Sequence, residues 1–375
     1  MGLEGFLSFV KKKHPDVIIN EHITLYSHQR VFMDISSYIY KYVCIFGNSS
    51  TRWLGCLLQM FLNLKLYKVH VVPVFDGKPP DEKKNEIDDR KEKRKQTQNK
   101  IKHLEAAVNH YREGCLSDED QNLLKETMQH LQKKNKCTKL KSLLFKVDSS
   151  SDHVSDNDII DIENYIFSIK KTMFYVGSKE TDLVKELLNI LGIPFIQAPE
   201  EAEACCSYLC KKGEGSAVIS CDTDCFAHAC PTTILTYDAS SGMITSVKLD
   251  ELLSSLEMDQ SQFIDFAILI GCDYNRKTKL KKVGPVKALD LIRSFGCIEN
   301  IEGYDVSSLD HIKIRDLFNR SYETIRVKPH KKIDRDALDG FIDEHNLQSN
   351  SSRLEKMIDE CEQAPEINFV DEFDQ

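Results

Sequence analysis

A chain of 375 residues with 41% apolar content can bury a sizeable core, so one large domain with appendages, or two packed domains, is expected. It has no run of about eighteen apolar residues, the opening MGLEGFLSFVKKKHPDVIIN lacks a small-residue cleavage site, and Phe6 stands where a myristoylation signal wants Ser or Thr. A membrane span, export and a lipid anchor are therefore not expected, and the net charge of −9 excludes nucleic acid only on average, because Lys and Arg concentrate at 78–102 and 276–293.

Taken in order, the chain predicts a first buried strand over Val31-Phe32-Met33-Asp34, then helices over Ile35–Phe46 and Trp53–Leu66. A second strand runs from Val69 to Asp76. Residues 81–112, beginning DEKKNEIDDRKEKRKQTQNK, have few apolar positions and read as a long charged helix laced with Glu and Lys pairs. From 133 to 163 the composition turns polar, first basic and then acidic and serine-rich, which predicts a linker or insertion. Helices over Thr181–Leu191 and Glu200–Lys211 precede a third strand, Ala217–Asp222, and residues 232–247 read as a hairpin. Two further helices are predicted at Gln260–Ile270 and Val286–Ser294, and the last twenty-five residues are expected to fray. Strands separated by helices imply an α/β fold with a twisted, mainly parallel sheet, whose ligands sit beyond the C-terminal ends of the strands. The expected organisation is an N-terminal half at 1–112, an insertion at 113–175, an internal half at 176–300 and a helical extension at 301–375.

Thirteen cysteines without an export signal suit a reducing, intracellular setting, with nothing to divide nucleus from cytoplasm. Cys205, Cys206, Cys210, Cys221, Cys225 and Cys230 form the tightest group; small buried apolar residues are the expected reading and a structural zinc the alternative.

The acids carry more information. Asp34 and Asp76 each end an apolar strand, Asp76 in Val-Phe-Asp-Gly-Lys-Pro-Pro. One such Asp is usually a cap or turn former, but two at equivalent places weaken that explanation. Glu201 and Glu203 fall in APEEAEA and Asp222 and Asp224 in SCDTDC, a spacing of two that shares a face only in extended chain, so each pair belongs at a strand end or just before a helix. Asp273 closes another apolar run in Ile-Gly-Cys-Asp-Tyr. Brought together, these seven carboxylates would repel one another unless cations lay between them, and hard oxygen donors without His or Cys favour Mg²⁺, with Mn²⁺ able to substitute. A pair of such ions roughly 4 Å apart would orient a water and polarise a phosphate, with no protein nucleophile. Positive charge for the phosphate oxygens could come from Lys83 and Arg90, whose spacing of seven puts them on one face of the charged helix.

The stretches MGLEGFLSF, VFMDISSYIY, PVFDGKPP, LGIPFIQAPEEAEA, SCDTDC, ILIGCDY and KKVGPVKALDLI closely resemble the flap endonuclease family, which includes the xeroderma pigmentosum group G and Holliday-junction-resolving branches. The resemblance implies a parallel sheet with a helical arch and a helix-two-turn-helix that grips duplex DNA with a potassium ion. By matching motif, Asp34, Asp76, Glu201, Glu203, Asp222, Asp224 and Asp273 look like the metal-binding acids and Lys83 and Arg90 like the residues that meet the phosphate. Tyr40 looks like the tyrosine that stacks on a base, Gly2, after removal of Met1, would lie beside the DNA, and Gly284, Pro285 and Lys287 would fall in the helix-two-turn-helix. The implied activity is structure-specific hydrolysis of DNA at single-strand/double-strand junctions such as 5′ flaps, by a monomer using two Mg²⁺, in replication, repair or recombination. Junction, bubble or 5′ exonuclease action is the alternative within the family.

The chain departs from the family's pattern in places. It is longer between Asp76 and Glu201, with the excess at 113–175, and it carries Gly47, Met60 and Asn63 where basic residues are usual. The loop before Gly284 is longer and more basic, with Lys282 where a glycine is usual, and no clamp-binding segment appears near the C-terminus. From other classes, an aspartyl-nucleophile phosphatase would explain Asp222-Thr-Asp224 but wants Thr or Val where Phe226 stands, and a non-catalytic binding module should have lost some of the seven acids.

Overall fold

Parallel strands covered on both faces need apolar side chains at consecutive positions, and Val31, Phe32 and Met33, like Ala217, Val218 and Ile219, are all fully buried. The computed structural model describes residues 2–47, 50–136, 154–174, 176–322, 325–347 and 351–363. Its strands are β1 (Ile19–His22), β2 (Arg30–Asp34), β3 (His70–Phe75), β4 (Ile196–Gln197), β5 (Ala217–Ile219), β6 (Thr232–Tyr237) and β7 (Met243–Lys248), joined in the order β1-β7-β6-β5-β2-β3-β4. β2 pairs in parallel with β3 and β5, β3 with β4 and β5 with β6, while the β6–β7 hairpin and β1 add an antiparallel edge. The chain leaves β2 toward β3 on one side and later returns at β5 on the other. Between such diverging connections the C-terminal strand ends leave a crevice.

The helices are α1 (Phe6–Lys13), α2 (Ile35–Phe46), α3 (Arg52–Leu66), α4 (Lys84–Glu113), α5 (Asp118–Lys136), α6 (Asp156–Thr172), α7 (Ser178–Ile190), α8 (Ala202–Lys211), α9 (Asp224–Ala227), α10 (Leu249–Leu256), α11 (Gln260–Ile270), α12 (Pro285–Phe295), α13 (His311–Phe318), α14 (Arg335–Glu344) and α15 (Ser351–Gln363). Among the described residues no helix is long and apolar enough to cross a membrane. The chain forms two compact units, residues 1–86 with 176–375, and residues 87–175.

In the first unit, α1 is held by Phe6, whose ring meets Phe226, Phe263 and Phe266 edge-on at centroid distances of 5.8, 5.5 and 6.0 Å. α8 lies under the sheet, with Ala202, Cys205, Cys206, Leu209 and Cys210 packed on Val72, Val74 and Val218. The expected fraying of the last twenty-five residues is corrected over their first half. Leu354, Met357, Ile358 and Cys361 follow helical spacing in α15, Met357 and Ile358 are buried, and the Cys361 thiol reaches the Leu62 carbonyl on α3 at 3.6 Å. Residues 364–375 lie outside the described residues.

The second unit has its own core, built from Ile101, Leu104 and Val108 of α4, Leu124 of α5, and Ile159, Ile162 and Ile166 of α6. The charged segment is therefore solvated mainly in its first half, and its second half is an amphipathic core helix. Ser155 starts α6 through a reciprocal capping box with Asp158. Of the expected linker, residues 137–153 lie outside the described residues.

Candidate active site

The seven acids sit where the chain leaves its strands or enters its helices. Asp34 ends β2 and caps α2, accepting from the Ser37 amide at 3.5 Å and the Ser220 hydroxyl at 3.2 Å. Asp76 follows β3, and its Oδ1 accepts from the Ala202 amide at 3.0 Å, which ties the end of β3 to the start of α8. The loop between them passes so close that a Cβ on Gly77 would lie 2.1 Å from the Ala198 carbonyl oxygen, so only glycine fits there. Glu201 caps α8 in extended backbone, and Glu203 is in its first turn. Asp222 follows β5 and accepts the Asp224 amide at 3.0 Å, and Asp224 opens α9. Asp273 lies just past α11, with Arg276 Nη2 on its Oδ1 at 2.8 Å. Both pairs spaced by two thus straddle a helix start.

These groups act on one another. Burial, then Asp76 and Asp222, raise the Asp34 carboxyl to about 7. Glu203 is pushed well above the carboxylate range by burial, then by Glu201 and Asp222, and Asp224 by burial, then by Asp222 and Asp273. Asp222 is raised by burial and by Asp273. Six of the seven are buried and Asp76 is exposed at the rim. The Oδ1 atom of Asp224 is buried without a hydrogen-bond partner among the described residues.

Lys83 enters this group. Its ammonium bonds Glu201 Oε1 and lies 3.1 Å from Asp273 Oδ2 and 3.8 Å from Glu203 Oε1. Burial opposes its charge, but Glu203, Glu201 and Asp273 hold its pKa well above the ordinary lysine value. The expectation that Lys83 rides on the charged helix is corrected: it closes a 3-10 turn, Asp81–Lys83, and α4 begins one residue later. Pro79 and Pro80 keep the preceding chain extended, which delays the helix. Arg90 lies on α4 in the second unit, with an exposed side chain.

A divalent cation fits this donor set. The oxygens are hard, burial and then mutual repulsion raise Asp34 and Asp224 despite the nearby ammonium, and Asp224 Oδ1 faces no donor among the described residues. Among the described residues no three His, Cys, Asp or Glu side chains already enclose a point that could hold a metal ion; the Lys83 ammonium stands between Glu201, Glu203 and Asp273. The same holds for the cysteines. Cys205, Cys206, Cys210, Cys225 and Cys230 are buried free thiols packed in the core, and burial pushes Cys205 up to about 12.

Sequence reasoning missed Tyr274, whose hydroxyl donates to Glu201 Oε2 at 2.6 Å. Gly2 adopts φ 82°, and a Cβ there would lie 2.1 Å from Asp222 Oδ1, so the N-terminal backbone runs against the acids. The Leu3 amide on Thr223 Oγ1 at 2.8 Å holds it there. Tyr40 is 45% exposed on α2, enough to meet a partner. Gly284 caps α12, and the Lys287 ammonium lies 5.0 Å from the Tyr304 ring centre. Lys282 takes φ 62°, the left-handed region where glycine costs least.

Residues 1–97 match the XPG N-terminal domain and residues 192–273 the XPG I-region, stretches that include Lys83 and all seven acids. The chain is 28% identical over 346 residues to the probable RAD2-like endonuclease 369L of Invertebrate iridescent virus 6, covering 85% of this chain and 79% of that one. It is also 28% identical over 344 residues to flap endonuclease 1 of Eremothecium gossypii, covering 87% and 75%. Among solved structures, the catalytic core of Rad2 in complex with DNA substrate shares the fold with a TM-score of 0.63 at 18% identity, over 95% of this chain and 100% of that one.

Proposed function

The chain belongs to the XPG family of structure-specific nucleases, phosphodiester hydrolases, and on that premise we propose that it cuts DNA near single-strand/double-strand junctions, 5′ flaps above all, in replication, repair or recombination. The observation that carries this reading is that acids from five separate stretches of chain act on one another, three of them, Glu201, Glu203 and Asp273, directly around the Lys83 ammonium. Asp34, Asp76, Glu201, Glu203, Asp222, Asp224 and Asp273 would hold Mg²⁺, two ions by the reading of the acids, with Mn²⁺ able to replace them. When bound, such ions supply Lewis acidity toward a phosphate oxygen and lower the pKa of a water.

The remaining chemistry falls to the chain. Lys83 places a charged ammonium at the acids, where it can donate to a phosphate oxygen as negative charge develops. Tyr274 fixes one oxygen of Glu201, and Ser220 and Ser37 fix Asp34, so the acids are oriented before substrate arrives. Gly2 lets the backbone approach without a side chain in the way. The amides at the N-terminus of α12, with Gly284 and Lys287, suit a duplex phosphate, and Tyr40 suits a base. Arg90 is proposed as a second phosphate contact. A potassium ion at the loop before Gly284 would sit beside Arg276, Lys277, Lys279, Lys281 and Lys282, of which Arg276 pairs with Asp273 and Lys279 with Glu4. The phosphatase reading lapses, because Asp222 and Asp224 fall within the matched XPG I-region.

Incubation with labelled flap, gapped, bubble and four-way-junction DNA in Mg²⁺ or Mn²⁺ tests the proposal. Cleavage strongest on the flap supports it; strongest cleavage of the bubble or junction moves the chain to another branch; no cleavage of any overturns it.

A further inference from the structure

We propose that residues 311–322 form a clasp across the active site, in which Lys313 and Arg320 are positioning residues that keep Lys83 and Glu201 in place. This rests on the nuclease reading and goes beyond it. The segment touches three of the stretches that build the site, one of them twice. Lys313 Nζ lies 3.0 Å from Glu82 Oε1, beside Lys83, and the Arg320 guanidinium pairs with the Glu200 carboxylate, beside Glu201. Between them, Phe318 packs edge-on against Tyr274 at 5.5 Å, and Tyr274 is the residue that holds Glu201 Oε2. Past Arg320, the Tyr322 carbonyl accepts from the hydroxyl of Tyr208 on α8 at 3.0 Å, and α8 carries Glu203.

The clasp has a fixed end. Arg315 makes two bonds of 2.6 Å to the buried Asp265 of α11, and Ile314, Leu317 and Phe318 are buried. The other end bears on Lys83, whose backbone is carried by a short turn ahead of α4. Lys83 closes a three-residue 3-10 turn held by the Lys83 amide on the Pro80 carbonyl at 3.0 Å. A misplacement of about 1 Å at a reacting group can cost on the order of 100-fold in rate. The Lys313 side chain is 67% exposed and that of Arg320 37%, so the two pairs add little to stability and their removal should spare the fold.

The test uses the full chain with flap DNA in single turnover. Lys313→Ala with Arg320→Ala should slow cleavage at saturating DNA by about 10-fold or more, with DNA affinity in the absence of Mg²⁺ and the melting temperature little changed. Lys313→Glu should also slow it, and Glu82→Lys added to Lys313→Glu should restore most of the loss. If the Ala pair melts early, the exchanged pair decides alone, since it keeps both charges. Wild-type rates in the Ala pair, or no recovery in the exchanged pair, overturn the clasp while leaving the nuclease reading intact. A wild-type protein that cuts nothing overturns both.

Discussion

The hydroxyl of Tyr274 donates to one oxygen of Glu201 at 2.6 Å while the ammonium of Lys83 bonds the other, so this buried carboxylate is held from two sides. Tyr274→Phe removes one hold and leaves a buried acid oxygen without its donor. A hydrogen bond to a charged group contributes about 1.5–3 kcal/mol, so cleavage should slow roughly 10- to 100-fold, with more Mg²⁺ needed for half-maximal rate. An unchanged Mg²⁺ requirement would show that the tyrosine only fills space.

Lys83→Ala should act on both stability and rate. Without the ammonium, Glu201, Glu203 and Asp273 lose a buried counter-charge, a kind of loss that costs about 3–5 kcal/mol. The melting temperature should fall in EDTA and recover substantially in Mg²⁺, while the single-turnover rate at saturating DNA stays low. Equal melting with and without Mg²⁺ would separate Lys83 from the ion site.

Asp224→Asn should do the reverse to stability. The Asp224 carboxyl is raised by burial and by Asp222 and Asp273, and its Oδ1 faces no donor among the described residues, so a neutral amide relieves strain in the metal-free protein. Melting in EDTA should occur at a higher temperature than wild type, cleavage should be abolished, and DNA binding should persist. Loss of binding in step with cleavage would make Asp224 a structural acid.

The pH dependence follows from the sign of the shifts. Asp34 titrates near 7 in the folded chain, above its unfolded value of 3.8, so the stability it contributes is present below that value and lost as pH rises through about 7. Glu203, Asp224 and Asp222 are raised as well and add in the same sense. Protons and Mg²⁺ compete for the same oxygens, so the rise in melting temperature on adding Mg²⁺ should be small at pH 5 and large at pH 8. A rise independent of pH would place the ion elsewhere.

Much of the site was legible in the sequence because its acids close apolar strands, and a strand's buried run and its end are local signals. Asp34 after Val31-Phe32-Met33 and Asp222 after Ala217-Val218-Ile219 follow that pattern. Lys83 was assigned its chemistry from the residues around it, but a spacing of seven could not show that Pro79 and Pro80 defer the helix and leave it in a 3-10 turn. Tyr274 and residues 311–322 were silent for a different reason. The bond from Tyr274 to Glu201 spans 73 positions and the pair of Arg320 with Glu200 spans 120, and no local pattern encodes either. The helix at Ser351–Gln363 was missed because its stripe of Leu354, Met357, Ile358 and Cys361 is set among charges.

If the seven acids are gathered to hold divalent ions, crystals soaked in Mn²⁺ should reveal them through the anomalous scattering of manganese. Peaks among Asp34, Asp76, Glu201, Glu203, Asp222, Asp224 and Asp273, with the Lys83 ammonium moved off Glu201, are the predicted result. A map without a peak there, or with manganese bound only at histidines elsewhere, would mean that these acids do not hold the ion.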